Sequence, residues 1–277
     1  MAKFYLQYQL KQSFILGMHE MKKRILLAGA LFTACGAATA AEISYQLGVE
    51  AYHETYKETV DGAAFMKEEA PMLGLTGGVN FRFSPLDEVQ VDGRYARGQS
   101  KYTGAYQGQP YGSLVNEDID RLSWELSATY KRYVPEWDGV KLGLGLGHRY
   151  LEDQLDKYPG GYRRKNTLNY VTMGIERPTQ FANGWTMTPA FRYKVLLDGE
   201  QKSDSQVNDQ TNGIGYDLAI DFAKRNGKLE WVISPYLRTW HIKKSDSVYY
   251  LDSGLVYESY EPDNKTRELG VGLFVRF

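Results

Sequence analysis

The last nine residues read Leu269-Gly270-Val271-Gly272-Leu273-Phe274-Val275-Arg276-Phe277. Leu269, Val271, Leu273, Val275 and Phe277 stand at every second position, so an extended chain puts all five on one face. A helix would scatter them around its axis. Val140-Lys141-Leu142-Gly143-Leu144-Gly145-Leu146-Gly147-His148-Arg149-Tyr150 obeys the same rule, with Val, Leu, His and Tyr on one side and Lys, Gly and Arg on the other. Leu122 to Tyr130, Trp185 to Leu197, Ile214 to Phe222 and Leu229 to Leu237 repeat it.

Working outward from these runs gives ten strands, at about 43–56, 72–83, 88–99, 119–133, 140–152, 167–178, 185–197, 213–223, 229–242 and 266–277. Most exceed the ~9–11 residues a tilted strand needs to cross a bilayer. Their connections alternate in length. Ser84 to Asp87, Pro135 to Gly139, Thr179 to Gly184 and Lys224 to Lys228 are short, whereas polar stretches near 57–71, 100–117, 153–166, 198–212 and 243–265 are long. Tyr45, Phe81, Phe83, Trp185, Phe222, Trp231 and Phe277 cluster on the apolar face beside the short turns. This layout predicts an all-β fold, a transmembrane antiparallel up-and-down barrel of about ten strands, with short periplasmic turns and long extracellular loops. A soluble sandwich also alternates. The small residues on the polar face (Gly74, Gly78, Gly143, Gly145, Gly147, Gly215, Gly270, Gly272) suit a crowded lumen better.

Composition supports this reading. No uncharged apolar run reaches the ~20 residues of a membrane-spanning helix. Aromatics make up 14% of the 277 residues, with 22 Tyr, which excludes a disordered chain. Met21-Lys22-Lys23-Arg24 followed by Ile25 to Ala34 and by Ala38-Thr39-Ala40 reads as a secretory signal cleaved after Ala40. Residues 1–20 are expected to be an over-extended start, 21–40 the signal peptide and 41–277 the barrel. Phe32-Thr33-Ala34-Cys35 weakly resembles a lipoprotein cleavage box, and Cys35 is the single cysteine, so no disulfide or thiolate metal site is expected. Cleavage removes five of the 33 basic residues and one of the 34 acidic ones, leaving 28 and 33, a formal charge of −5. A mildly acidic exported chain excludes nucleic acid as a partner.

The C-terminal alternation, carried by Leu273, Val275 and the terminal aromatic Phe277, resembles the signature that bacterial insertion machinery reads on outer-membrane proteins. With the leader and the strand layout, the chain resembles the small ten-stranded Gram-negative outer-membrane barrels, a class holding both omptin proteases and an opacity-type adhesin. No motif selects a subfamily. The resemblance implies a bacterial outer-membrane location, contact with membrane lipid and lipopolysaccharide, and periplasmic chaperones and the insertion machinery as assembly partners.

With the apolar set facing lipid, the inward charges include Glu50, Arg82, Asp92, Arg94, Glu125, Arg149, Glu176, Arg192, Asp217, Arg238 and Glu268, joined by Glu54, Lys141, Lys194, Asp221, Glu230 and Arg276. Nine are acidic and eight basic. Mixed signs are what a filled lumen needs, because an unpaired buried charge is costly. The same charges could instead line a narrow channel for small polar solutes, although small barrels are generally filled by their side chains.

No compact catalytic set stands out in the sequence. His53, His148 and His241 all fall in the lipid-facing register. Asp118 and Asp120 form an Asp-x-Asp of the omptin kind, but Asp198 to Asn212 lacks the histidine an omptin-like hydrolase would place opposite. Ser203 to Gln210 carries oxygen ligands without the Gly and terminal Glu of a calcium loop, so a solvated loop is expected there. No cofactor or metal is expected. Tyr106, Tyr111, Tyr162, Tyr249 and Tyr257 lie in the long loops, where they either offer a contact surface for a host or small-solute ligand or pack together to order the rim.

Overall fold

The computed structural model describes residues 42–277 except Gln107, Ser205, Ser253 and Gly254; the expected leader and Cys35 lie outside the described residues. Ten long antiparallel strands run β1 (Glu42–Val60), β2 (Ala63–Arg82), β3 (Asp87–Gly104), β4 (Leu114–Val134), β5 (Val140–Gln154), β6 (Arg163–Glu176), β7 (Trp185–Ser203), β8 (Gly213–Asn226), β9 (Leu229–Ile242) and β10 (Asp263–Arg276). Each pairs with its sequence neighbours, and β10 pairs with β1 from Gln46↔Arg276 to Thr59↔Asp263. The sheet therefore closes on itself and leaves no edge. Tyr45 and Phe277 extend the seam by exchanging backbone hydrogen bonds of 2.9 and 3.0 Å, and their rings stack at 5.8 Å.

Burial is inverted relative to a water-soluble sandwich. Outward-facing Leu73 and Leu75 are 71% and 65% exposed, while inward-facing Glu54 and Arg121 are 1% and 2% exposed. A belt of such residues around the whole wall far exceeds the apolar patches a soluble surface tolerates. Hydrocarbon is its natural solvent, and closure satisfies every strand's backbone groups within it. At the end bearing the short turns, Phe83 stacks near Tyr130 at 6.4 Å and Lys224 sits 5.5 Å over Trp185. These rings occupy the level of an interfacial girdle.

The connections differ from expectation at the opposite end. Residues 57–71 are not a loop: β1 and β2 run on to a two-residue turn, Asp61-Gly62, with φ of 49° and 80°. Both positive angles define the turn that matches strand twist in a hairpin, which is why Gly follows Asp there. β5 likewise continues to Gln154 and β6 starts at Arg163. Ser203 to Gln210 is a hairpin rather than a solvated loop, with Gln206–Gln210 paired to the end of β7. Polarity misled in each case because these extensions lie beyond the membrane, so their outward faces (Thr55, Lys57, Thr59) are polar while their inward faces (Tyr56, Glu58) stay buried. Beyond β9, Val248–Asp252 and Leu255–Ser259 pair as a separate hairpin.

Candidate functional site: the charged lumen and the exposed rim

Alternation aims a polar side chain inward at every second position of ten strands, and the closed wall brings these chains within bonding distance. One layer lies at mid-barrel. Arg94 donates to Glu50 at 2.8 Å and to Glu268 at 2.7 Å, and Arg238 donates to Glu50 at 3.2 Å. Tyr236 adds a hydroxyl to Glu50 at 2.9 Å. Lys194 bridges Glu125 at 3.3 Å and Asp217 at 2.8 Å, and Tyr170 donates to Glu125. Arg149 ties this layer upward, lying 3.7 Å from Glu268 and 3.3 Å from Glu54.

The second layer sits nearer the exterior. Arg121 donates to Glu54 at 2.6 Å, to Glu68 at 3.0 Å and to Asp153. Arg164 bonds Asp153 at 2.8 and 3.0 Å, Glu58 at 3.0 Å and also Glu68. Tyr56 donates its hydroxyl to Glu58 at 2.8 Å, reaches Glu261 at 3.1 Å, and carries the Arg164 guanidinium 4.7 Å above its ring. All of these residues are buried. Aromatic and aliphatic groups close the gaps: Tyr52, Met72 and Tyr236 form one cluster, and Leu168, Tyr170, Leu196 and Trp240 another. Lys194 lies 5.1 and 5.5 Å over the rings of Tyr170 and Trp240.

The outer layer holds five carboxylates (Glu54, Glu58, Glu68, Asp153, Glu261) against three guanidiniums (Arg121, Arg149, Arg164). Full ionisation would leave two buried negative charges unmatched, so two protons are the cheapest remedy. Burial, helped by the neighbouring Asp153, pushes the Glu68 carboxyl up to about 7 despite its two arginines. Burial and the adjacent Glu58 raise Glu261 well above the ordinary carboxylate range. Glu261 precedes β10, and Glu68 stands opposite Tyr56 between outward-facing Lys67 and Glu69, on the exterior side of the apolar belt that ends at Leu73.

Below the mid-barrel layer the lumen is looser. Lys131 meets Glu176 at 2.7 Å, Lys141 meets Glu88 at 2.8 Å, Arg276 meets Asp221 at 2.5 Å, and Arg82 lies at the mouth against Glu42 at 3.1 Å. Asp92 accepts from Gln90 at 2.8 Å, and Arg192 faces Asp217 across the β7–β8 register.

Of the lumen residues singled out from the sequence, Glu50, Arg94, Glu125, Arg149, Asp217, Arg238 and Glu268 meet in or beside one network. Arg82, Asp92, Glu176 and Arg192 sit lower. The sequence reading missed the outer layer's Arg121, Arg164, Asp153, Glu58, Glu68 and Glu261. Arg121 shares the parity of Glu125 on β4, a signal that was present. The others lie in the strand extensions, where the polar pattern predicts loops. Asp120 is exposed, in register with outward-facing Gln99 on β3, so the Asp-x-Asp does not face the lumen. His53 is exposed on the outer wall, His148 packs 5.0 Å from Trp124 and bonds Asn169 at 2.6 Å, and His241 bonds Asp263 at 2.9 Å. Asn208 and Gln210 of the supposed solvated loop are buried, bonded to Ser259 at 3.2 Å and Asn166 at 2.8 Å. Tyr106, Tyr111, Tyr162, Tyr249 and Tyr257 are all exposed. On the hairpin, Tyr257 stacks with Tyr250 at 5.6 Å.

No family model and no curated protein matches this sequence. Solved structures do. The chain is similar to the outer membrane protease OmpT from Escherichia coli, with a TM-score of 0.55, 10% identity, and coverage of 88% of this chain and 100% of that one. It also matches Neisserial surface protein A from Neisseria (TM-score 0.30, 12% identity, 86% and 99% covered) and OprG from Pseudomonas aeruginosa (0.32, 13%, 86% and 97%). At 10% identity the likeness to OmpT shows the fold alone, a closed antiparallel β-barrel.

Proposed function

We propose that this protein is a non-enzymatic surface barrel, a sealed scaffold in the bacterial outer membrane that displays ligand-contacting loops. The observation that carries this reading is the pair of buried charge layers. Arg121, Arg149 and Arg164 and their carboxylates fill the cross-section with side chains shielded from solvent, which supports a closed lumen over a solute path. Neither layer holds a histidine, and no nucleophile–base pair faces the lumen among the described residues. What remains for function is the exterior rim. There the hairpin formed by Val248–Asp252 and Leu255–Ser259 exposes Tyr249, Leu255, Val256 and Tyr257. Aromatic side chains on a paired hairpin give large contact area at low entropic cost, the chemistry of an adaptable binding surface for a glycan or a partner protein.

The test replaces residues 248–259 with a two-residue Asn-Gly turn and displays both forms on cells. Binding to a panel of host glycans and matrix proteins should be present for the full chain and lost for the shortened one, with equal barrel content. Equal binding by both forms, or none by either, would overturn the loop reading.

A further inference from the structure

Two groups of like charge stand directly opposed on the outer wall, and the barrel's own packing explains neither. Lys57 on β1 lies opposite Lys265 on β10 and opposite Lys67 on β2. Glu200 on β7 lies opposite Asp209 of the hairpin strand Gln206–Gln210. Directly opposed like charges destabilise a sheet. Lys67 has Glu69 at 2.6 Å, but among the described residues Lys57, Lys265, Glu200 and Asp209 are exposed with no ion-pair partner. Two residues nearer the membrane the signs repeat, with Arg267 below Lys265 and Asp198 below Glu200. Lys202 and Lys165 oppose each other two residues beyond Glu200, where Lys165 is answered by Glu152 at 3.9 Å.

Each charged group has a matching relief beneath it. Under the lysines lies a groove of about 840 Å³, lined in part by Ala51, Pro71, Leu73 and Leu269. Under the acids lies an aromatic ridge, where Tyr216 on β8 stacks with Phe191 at 6.2 Å and packs on Tyr193 at 5.3 Å, both on β7. The vertical spacings agree. Ala51 to Lys57 is six residues along β1. Tyr193 to Glu200 is seven along β7, but Tyr170 of β6 pairs with Leu196 and Asn169 with Asp198, so Leu197 is the extra residue of a bulge and six ladder steps remain. Strands of one barrel share their tilt. Six steps therefore raise the lysines above the groove and the acids above the ridge by the same height.

We propose that the β10–β1–β2–β3 face of this barrel docks on the β7–β8 face of a second copy of the chain in the same membrane. The ridge of Phe191, Tyr193 and Tyr216 enters the groove, and Lys57 and Lys265 meet Glu200 and Asp209 of the neighbour just above the apolar belt. Opposite charge relieves the repulsion that each face carries alone, and complementary potentials fix the register of the contact. The two faces differ and stand on roughly opposite sides of the ten-strand ring, so each docked copy keeps one face free. Head-to-tail contact of this kind builds open rows rather than closed dimers. The contact does not depend on the loop reading above, and the 248–259 hairpin takes no part in it.

The test co-expresses two differently tagged copies in the outer membrane and treats whole cells with a bismaleimide. One copy carries Thr55→Cys, beside the lysines, and the other carries Thr167→Cys, directly opposite Glu200; residues 41–277 hold no other cysteine. The two tags should appear together in one crosslinked band, and a copy carrying both cysteines should give a ladder of dimers, trimers and longer rows. Either single-cysteine copy alone should link at least about tenfold less, because like faces do not meet. Reversing one face, by Lys57→Glu with Lys265→Glu or by Glu200→Lys with Asp209→Lys, should lower the mixed product at least about tenfold, since like-charge juxtaposition across an interface is strongly unfavourable. Pairing the two reversed copies should restore it. Heat-modifiable gel mobility checks folding, and the corresponding Gln substitutions serve should a reversed copy not fold. No mixed product from the parent pair, equal linking by single-cysteine copies, undiminished linking after reversal or neutralisation of one face, or no recovery on pairing the reversed copies would overturn the proposal.

Discussion

Replacing Arg121 with Met tests how dry the lumen is. The substitution keeps much of the side-chain volume but removes a cation that bonds Glu54 at 2.6 Å, Glu68 at 3.0 Å and Asp153. Glu68 and Asp153 retain Arg164, and Glu54 retains only Arg149, 3.3 Å away. Breaking a buried network by removing one partner costs about 3–5 kcal/mol, and the exposure of Arg121, at 2%, places it in that regime. With a denaturant slope of about 2–3 kcal/mol per molar, the urea midpoint should fall by about 1–2 M at pH 8. Tryptophan fluorescence in detergent reads the transition, since Trp240 sits in the lumen cluster beside the network. A loss below about 1 kcal/mol at pH 8 is the value for a solvent-screened surface pair. It would refute the claim that the layer is sealed.

Other outcomes follow from the same geometry. Because Glu68 holds its proton up to about pH 7 when folded and only to its ordinary value of 4.5 when unfolded, the folded chain binds more protons between these limits. Its stability should therefore fall as pH rises from about 4.5 to 7, and Glu68→Gln should flatten that slope in urea titrations. Deleting Phe277 removes the Tyr45 stack and both backbone bonds that finish the β10–β1 seam, so the yield of heat-modifiable barrel assembled in cells should drop, while normal yield would count against a recognition role for the C-terminus. Gly270→Val places a Cβ 2.6 Å from the Ala51 carbonyl and 2.5 Å from Tyr52 Cβ, and should destabilise by about 1–3 kcal/mol in the same unfolding assay.

The wall of this barrel was legible in the sequence because its two solvents differ. Lipid selects Leu269, Val271 and Leu273 on one face, the lumen selects Glu268, Gly270 and Gly272 on the other, and a period of two follows with no other input. That contrast fades above the membrane, where both faces are polar. Thr55, Lys57 and Thr59 then look like loop residues, although Tyr56 and Glu58 between them remain packed. The mid-barrel charges could be read because their strands could be read. The outer layer was hidden with the strand extensions that carry it, and pairing across the lumen, such as Arg94 with Glu268 or Arg164 with Glu58, depends on closure that no local pattern encodes. Arg121 alone could have been found, by following β4's alternation two residues beyond Ser123. The lysine row of β10, β1 and β2 depends on register as well, since Lys57, Lys67 and Lys265 are neighbours only once the strands are aligned.

The central claim is that the lumen is closed by its own side chains. Single-channel recording of residues 41–277, inserted into a planar bilayer and verified as inserted, tests it most directly. The layered network predicts a silent bilayer at neutral pH, with Arg121→Met producing at most irregular leak. Discrete, reproducible conductance steps from the unmodified chain would contradict the account and make the inward charges the lining of a pore.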